Sequence, residues 1–244
     1  MSTRPGRVTT ARKREPLVRP ADPHAKSALI AAARTQFVRS GIKGARIEDI
    51  THASNLSKGA FYLHFESKEA LFGQLVDSFQ QQMQQIVGER ERVVRSYLQR
   101  HPLKARDTLE RTAKHQALVA LEVKYDRAVL ELIWNERDVF TVLSRGAQGT
   151  EFEGFMWQMA EREVKRVVDG LESMKSLGAC RADVPSQVFG SLVVGTFLLI
   201  AQQMSRLEKK PDLDLWVEAI QQLIHEGVSP RGEVAPRRRE RRLS

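Results

Sequence analysis

Between Ile47 and Phe65, two helix-forming stretches of about eight residues each are parted only by Asn55-Leu56-Ser57. A link that short must turn the chain sharply, so the two helices cross, as in a helix-turn-helix. Asn55 tolerates the positive φ such a turn needs. Ser57 can cap a helix from Lys58 to about Phe65, and Ser67 can cap the next, with Glu69 near its positive end. Ile47 and Ile50 face inward, and Phe61 and Phe65 pack against the preceding helix. That helix opens at Asp22-Pro23, an N-cap followed by proline at the first helical position. It carries Leu29, Ile30, Ala33 and Phe37 at helical spacing and stops at Gly41, where a left-handed residue belongs.

The rest of the chain reads as helix too. An apolar stripe of Leu71, Leu75, Phe79 and Met83 continues from Ser67, and the order is less crisp after Gly88. His101-Pro102 marks a break. Residues 103–136 form one long helix or two, with Leu118, Leu121, Tyr125, Val129, Leu132 and Ile133 as the stripe. A short helix spans 137–143, and a long one 150–176 ends at Gly178. Two more open at Asp183-Pro185 and Pro211-Asp212 and run to about 207 and 226. No strand alternation and no internal repeat is present, so the fold class is all-α. The chain divides into a basic arm (1–21), a helix-turn-helix head (22–68), a helical body (69–228) and a basic tail (229–244).

A hydrophobic fraction of 41% supports a packed core and excludes wholesale disorder. The single cysteine, Cys180, excludes an internal disulfide framework and a Cys-based zinc site. The longest apolar run, Val188 to Ala201, has 14 residues, short of the roughly 18 of a membrane span. No apolar stretch follows the basic N-terminus, so a secretory signal is not expected, and a cytoplasmic protein without a membrane partner is. Net charge is +9, and the excess is uneven. Residues 1–24, 25–68 and 229–244 each carry +4, and the body carries −3. Positive ends around a slightly acidic body are a footprint for a polyanion, most simply nucleic acid.

Catalytic signals are missing. There is no GxGxxG, GxxxxGK[ST] or GxSxG, and the six histidines show no HExxH or other close ligand spacing. Cys180 sits in a Gly-Ala-Cys-Arg turn, which favours a structural thiol over a nucleophile. No enzyme activity, metal or cofactor is expected.

A recognition helix lays its N-terminal half in the major groove. Lys58 in that first turn can donate to guanine or phosphate, and small Gly59 and Ala60 allow close approach. Tyr62 and His64 can donate to phosphate oxygens, as can Lys68 at the start of the next helix.

The run from Ile47 to Leu71, with Lys58-Gly-Ala-Phe-Tyr-Leu-His-Phe-Glu-Ser-Lys-Glu69 at its centre, resembles the DNA-binding signature of the TetR (tetracycline-repressor) family. So does the lead-in Gln36-Phe-Val-Arg-Ser-Gly41. The matching segment covers about 26–75, under a quarter of the chain. The resemblance implies a three-helix head on a helical body, a homodimer on a palindromic double-stranded operator, and a small-molecule pocket whose occupant releases the DNA. By match to the motif, Ser57, Lys58, Gly59 and Ala60 approach bases, while Tyr62, His64 and Lys68 hold phosphates. Ala45-Arg46 stands where the family often has two threonines, which gives the phosphate contact of the second helix to Arg46. Asn55 replaces the common turn glycine.

Two further expectations follow. The helix at 185–207 is apolar nearly all round and needs cover on more than one side. A dimer through it and the last helix supplies that cover, with Phe189, Val193, Phe197, Ile200, Trp216, Ile220 and Leu223 at the interface. An apolar effector would lie among Tyr125, Trp134, Phe152, Phe155, Met156 and Met159, with Glu122 and His115 orienting it if they face inward. The competing functional reading is a ligand-independent, architectural DNA-binding protein.

Overall fold

The computed structural model describes residues 23–229, which form ten helices and no strand. The expected Asp22 cap, the arm and residues 230–244 of the tail lie outside the described residues. In the head, α1 (Pro23–Gly44) buries Leu29, Ala33 and Phe37 and is interrupted at Gly41, whose φ is 67°. The next two, α2 (Ile47–Ala53) and α3 (Lys58–His64), meet at a turn where Asn55 takes φ 54°. Ser57 accepts the Ala60 amide at 3.1 Å, and Ser67 accepts the Ala70 amide at 2.9 Å, so both expected caps form.

From Ser67, α4 (Lys68–Arg100) runs unbroken for 33 residues. Gly88 is exposed and does not stop it, so the helix extends well past the apolar stripe that ends at Met83. The 103–136 region is two helices, α5 (Ala105–Leu109) and α6 (Ala113–Asn135), separated where Arg111 takes φ 49°. Then come α7 (Arg137–Arg145) and α8 (Phe155–Ser176). The latter starts later than its apolar pattern suggests, because 150–153 form turns and Gly154 is left-handed at φ 82°. The last pair is α9 (Ser186–Met204) and α10 (Leu213–Val228), the latter capped by Asp212 through the amides of Asp214 and Leu215.

One apolar core runs from the head into the body. Phe72 of α4 meets Phe37 edge-on at 5.3 Å and Phe152 at 5.1 Å, and Val139, Val142 and Leu143 of α7 complete the cluster. Arg34 of α1 clamps α7, with 2.7 Å contacts to both Glu136 and Asp138. Beside it Gly41 and Gly146 touch backbone to backbone: the Ile42 amide donates to Gly146 O at 3.2 Å, and a Cβ on Gly146 would lie 3.0 Å from Gly41 Cα. A second core joins α6, α7, α9 and α10 around Leu130, Phe140, Met204 and Val217.

By length and composition α9 reaches the hydropathy of a membrane span, contrary to the reading of its 14-residue apolar run. In the fold it packs along α8 with one side, and Val188, Leu192 and Leu199 stay exposed on the other. Gly190 permits the packing, since a Cβ there would lie 3.0 Å from the Val168 side chain.

Candidate nucleic-acid interface and interior cavity

The exposed side of α3 follows from helical geometry. Phe61 is buried and Phe65, just past the helix, is buried four residues on, so residues between them point away from the core. Lys58, Gly59, Tyr62 and Leu63 are exposed, with Tyr62 at 51% and Leu63 at 64%. Leu63 was missed at the sequence level, although its offset of two residues from both phenylalanines marks it as outward. A Cβ at Gly59 would meet only Ser57 Oγ, at 3.7 Å. The fold therefore does not demand glycine there, whereas a partner lying against the helix would use the space. Ala60 and His64 are half-buried, and Ser57 and Arg46 are exposed beside them.

Lys58 is ion-paired with Glu48 at 2.6 Å on the surface. That hydrogen bond holds the carboxyl below its usual range and the amine above its own. An exposed pair of this kind is weak and exchanges readily for another anion. Lys68 differs from expectation. Its ammonium donates to the carbonyls of Lys43 and Ala45 at 2.9 and 2.7 Å, which ties the start of α4 to the α1–α2 link. Two of its three donors thus serve the fold, and a phosphate role has at most the third.

The body contains a cavity of about 770 Å³, lined by α4 to α10 and open to solvent along part of its lining. This is within the roughly 300–1,000 Å³ of small-molecule sites. Of the six expected lining residues it includes Met159 alone. Tyr125 is buried and donates to Glu89 at 3.1 Å, while Trp134 stacks beneath the Arg137 guanidinium at 4.3 Å. Phe152, Phe155 and Met156 pack on the core shared with the head. These five are corrected to core residues: aromatic size identified buried positions, but not which side of each helix faces the void. His115 and Glu122 do line it, together with Arg90, Asp126, Gln221 and His225. The missed signal was Glu122 and Asp126 at i, i+4 on the same face of α6 as Leu118 and Val129.

Burial works against the charge of Arg90, but Asp126 and Glu122 keep its pKa raised. Desolvation pushes the Asp126 carboxyl up. Glu122 is also desolvated, yet the hydrogen bond from His225 and the charge of Arg90 hold it down. Cys180 is buried, its thiol donates to Leu171 O at 3.8 Å, and burial raises its pKa, so it is a structural thiol.

The expected dimer residues also need correction. Phe189, Val193 and Phe197 line the cavity, Ile220 is buried, and Ile200 and Trp216 pack on the second core. Only Leu223 of the seven is fully exposed, at 73%. The outward apolar face is instead Val188, Leu192 and Leu199 of α9 with Leu215 and Leu223 of α10.

The family model described as bacterial regulatory proteins, tetR family, matches residues 29–75, which hold most of the three-helix head. The chain is 43% identical over 51 residues to the transcriptional repressor DhaR of Mycobacterium sp. strain GP1, covering 21% of this chain and 26% of that protein. It is 30% identical over 145 residues to the repressor KstR2 of Rhodococcus jostii, covering 57% of this chain and 65% of the relative. Among solved structures, the ketosteroid transcriptional regulator KstR2 of Mycobacterium tuberculosis superposes with a TM-score of 0.57 at 15% identity, over 84% of this chain and 95% of that one. Residues 29–75 therefore carry the DNA-binding head of the bacterial tetR-family regulators, and the all-helical body beyond them is similar in fold to that of the solved KstR2 regulator.

Proposed function

We propose that the chain is a homodimeric repressor that reads a palindromic operator with α3 and leaves it when a small apolar effector occupies the body cavity. The observation that carries this reading is α4: one continuous helix begins at the head, pinned by Lys68, and lines the cavity from Phe79 to Gln99. An occupant that prefers a different tilt of α4 also moves the head, and by linkage DNA and effector weaken one another by the same factor. On this reading the head spans 22–68 and the body 69–228, although their apolar core is continuous. Lys58 and Leu63 face base edges, while Arg46, Tyr62 and His64 face phosphates. The outward faces of α9 and α10 pair about a two-fold axis, which sets two α3 helices about 34–36 Å apart, one turn of DNA.

The test is selection of an operator from random duplexes, followed by footprinting and titration. A palindromic protected site is expected. Lys58→Ala should weaken the selected site about tenfold and relax its sequence preference, as loss of a good base contact does. Tyr62→Phe should weaken all sequences alike and leave the salt slope unchanged, because the hydroxyl it removes carries no charge. Unchanged affinity in both variants would move the reading surface elsewhere. Length-dependent, sequence-blind binding would favour the architectural reading.

A further inference from the structure

The polar groups of the cavity gather at one place, and their pairing constrains what can enter. Arg90 of α4 donates to Asp126 of α6 at 2.7 Å and lies 3.7 Å from Glu122. His225 of α10 is 2.9 Å from Glu122, and the Gln221 side-chain amide donates to Asp126. One guanidinium thus answers two carboxylates. Arg166, the other half-buried arginine of the lining, is held by Glu163 at 2.8 Å. Beside this cluster a carboxylate or phosphate head group would have to displace Asp126 or Glu122 from Arg90, leaving one anion desolvated without its partner; Arg95, the exposed arginine of the lining, takes no part in the cluster.

Two atoms remain. His115 Nε2 and Gln221 Oε1 are buried and have no hydrogen-bond partner among the described residues. The two residues are 6% and 3% exposed, and both line the cavity. With its amide nitrogen committed to Asp126, Gln221 offers a carbonyl that can only accept. The His115 ring meets that of His225 edge-on at 5.3 Å. Burial first, and then the His225 charge, favour its neutral form. Neutral imidazole Nε2 donates or accepts according to tautomer. A hydroxyl, which both donates and accepts, fits Gln221 Oε1 and either state of His115. An ammonium can only donate, and it would sit near Arg90.

We propose that the cavity takes an uncharged apolar molecule bearing a hydroxyl group, held by His115 Nε2 and Gln221 Oε1, and that it rejects the carboxylate of the same skeleton. The proposal rests on the effector-binding reading above and names the head group that reading leaves open. It also supplies a route to α4, because Gln221 reaches Arg90 through Asp126 in two hydrogen bonds.

The experiment is calorimetric titration of the full chain with matched probes: 1-dodecanol, dodecanoate and dodecylammonium, then 4-phenylphenol and biphenyl-4-carboxylate. At least one alcohol or phenol should bind about tenfold or more tightly than its charged analogues. His115→Phe and Gln221→Leu should each erase that preference by weakening the hydroxyl probe while leaving the carboxylate unchanged. The ratio within one variant is the readout, so a reduced folded fraction does not mimic the result. Equal or tighter binding of the carboxylate or ammonium overturns the proposal, as does a preference that survives in both variants, or no binding by any probe. Operator titration in the presence of each probe separates the two readings. A preferred hydroxyl probe that leaves operator affinity unchanged upholds the head-group inference and sinks effector release. A carboxylate that binds better and releases the operator does the reverse.

Discussion

The head and the interior of the body place their polar side chains in opposite ways. In the head, Ser57 and Ser67 close helix ends, Lys68 holds carbonyls of the α1–α2 link, and Lys58 and Glu48 pair in solvent. Its core, from Leu29 through Phe61 to Phe72, is apolar apart from Thr51. In the body Arg90, Glu122, Asp126 and Gln221 are drawn inward around a large cavity. Polarity at helix ends fixes a rigid platform through local contacts. Polarity in the interior needs partners from several helices, and it resists the collapse that would fill an apolar void. The first arrangement suits a surface that presents fixed groups to DNA. The second suits a chamber whose shape can respond to an occupant.

The comparison breaks first where the two regions share a core. Phe72 is 1% exposed and touches both Phe37 of the head and Phe152 of the body. Phe72→Ala should cost about 3–5 kcal/mol, read from denaturant unfolding. If head and body are separable, the loss should appear as an early transition of the head alone. A single transition that shifts as a whole would show that they fold as one unit.

The outward and inward faces of α9 offer the next test. Leu192→Glu combined with Leu223→Lys alters only exposed apolar positions. The folded monomer should survive, while the dimer is lost in sedimentation and operator affinity falls about 100-fold or more as bivalency disappears. Phe197→Glu places a charge against the cavity and should destabilise the body itself. If the Leu192/Leu223 pair leaves the dimer intact, the interface lies on another face.

These two regions were not equally legible in the sequence. The head was readable because its signals are local: Asn55 at the turn, the two serine caps and the Gly41 stop all lie within a few residues of what they control. Even there, only half of the reason for Gly41 was visible, since its contact with Gly146 joins positions far apart in the chain. In the body, helix existence was legible and facing was not. A helix that is apolar all round, like α9, gives no sign of which side meets the cavity and which meets solvent. So Phe189 and Phe197 were placed at an interface when they line the cavity, and Leu192 and Leu199, part of the same apolar circumference, were not singled out for the interface. The paired acids of α6 carried the opposite message. Charges on an apolar stripe point to a buried partner, and Arg90 is that partner.

The smallest effect concerns His115 and pH, and it probes the interior polarity directly. Burial holds the folded pKa of His115 below its ordinary 6.5, with the positive charges of His225 and Arg111 acting in the same direction against Glu122 and Asp107. The unfolded chain then binds a proton that the folded chain refuses. Stability contributed by this group is therefore complete above pH 6.5 and declines as pH falls from 6.5 toward the lower folded value. Glu122 acts in a lower window, because its depressed pKa removes stability only as pH falls below about 4.5. Asp126, raised above 3.8, has the opposite sign: stability declines as pH rises through its folded pKa. His115→Phe isolates the first contribution from the other two. Thermal melts at pH 7.5 and 5.5 should show a smaller drop in Tm for the variant than for the native chain. An equal drop would mean that the folded protein leaves the His115 ring as open to protons as the unfolded chain does, and the contrast between a polar interior and a dry head core would lose its best-placed witness.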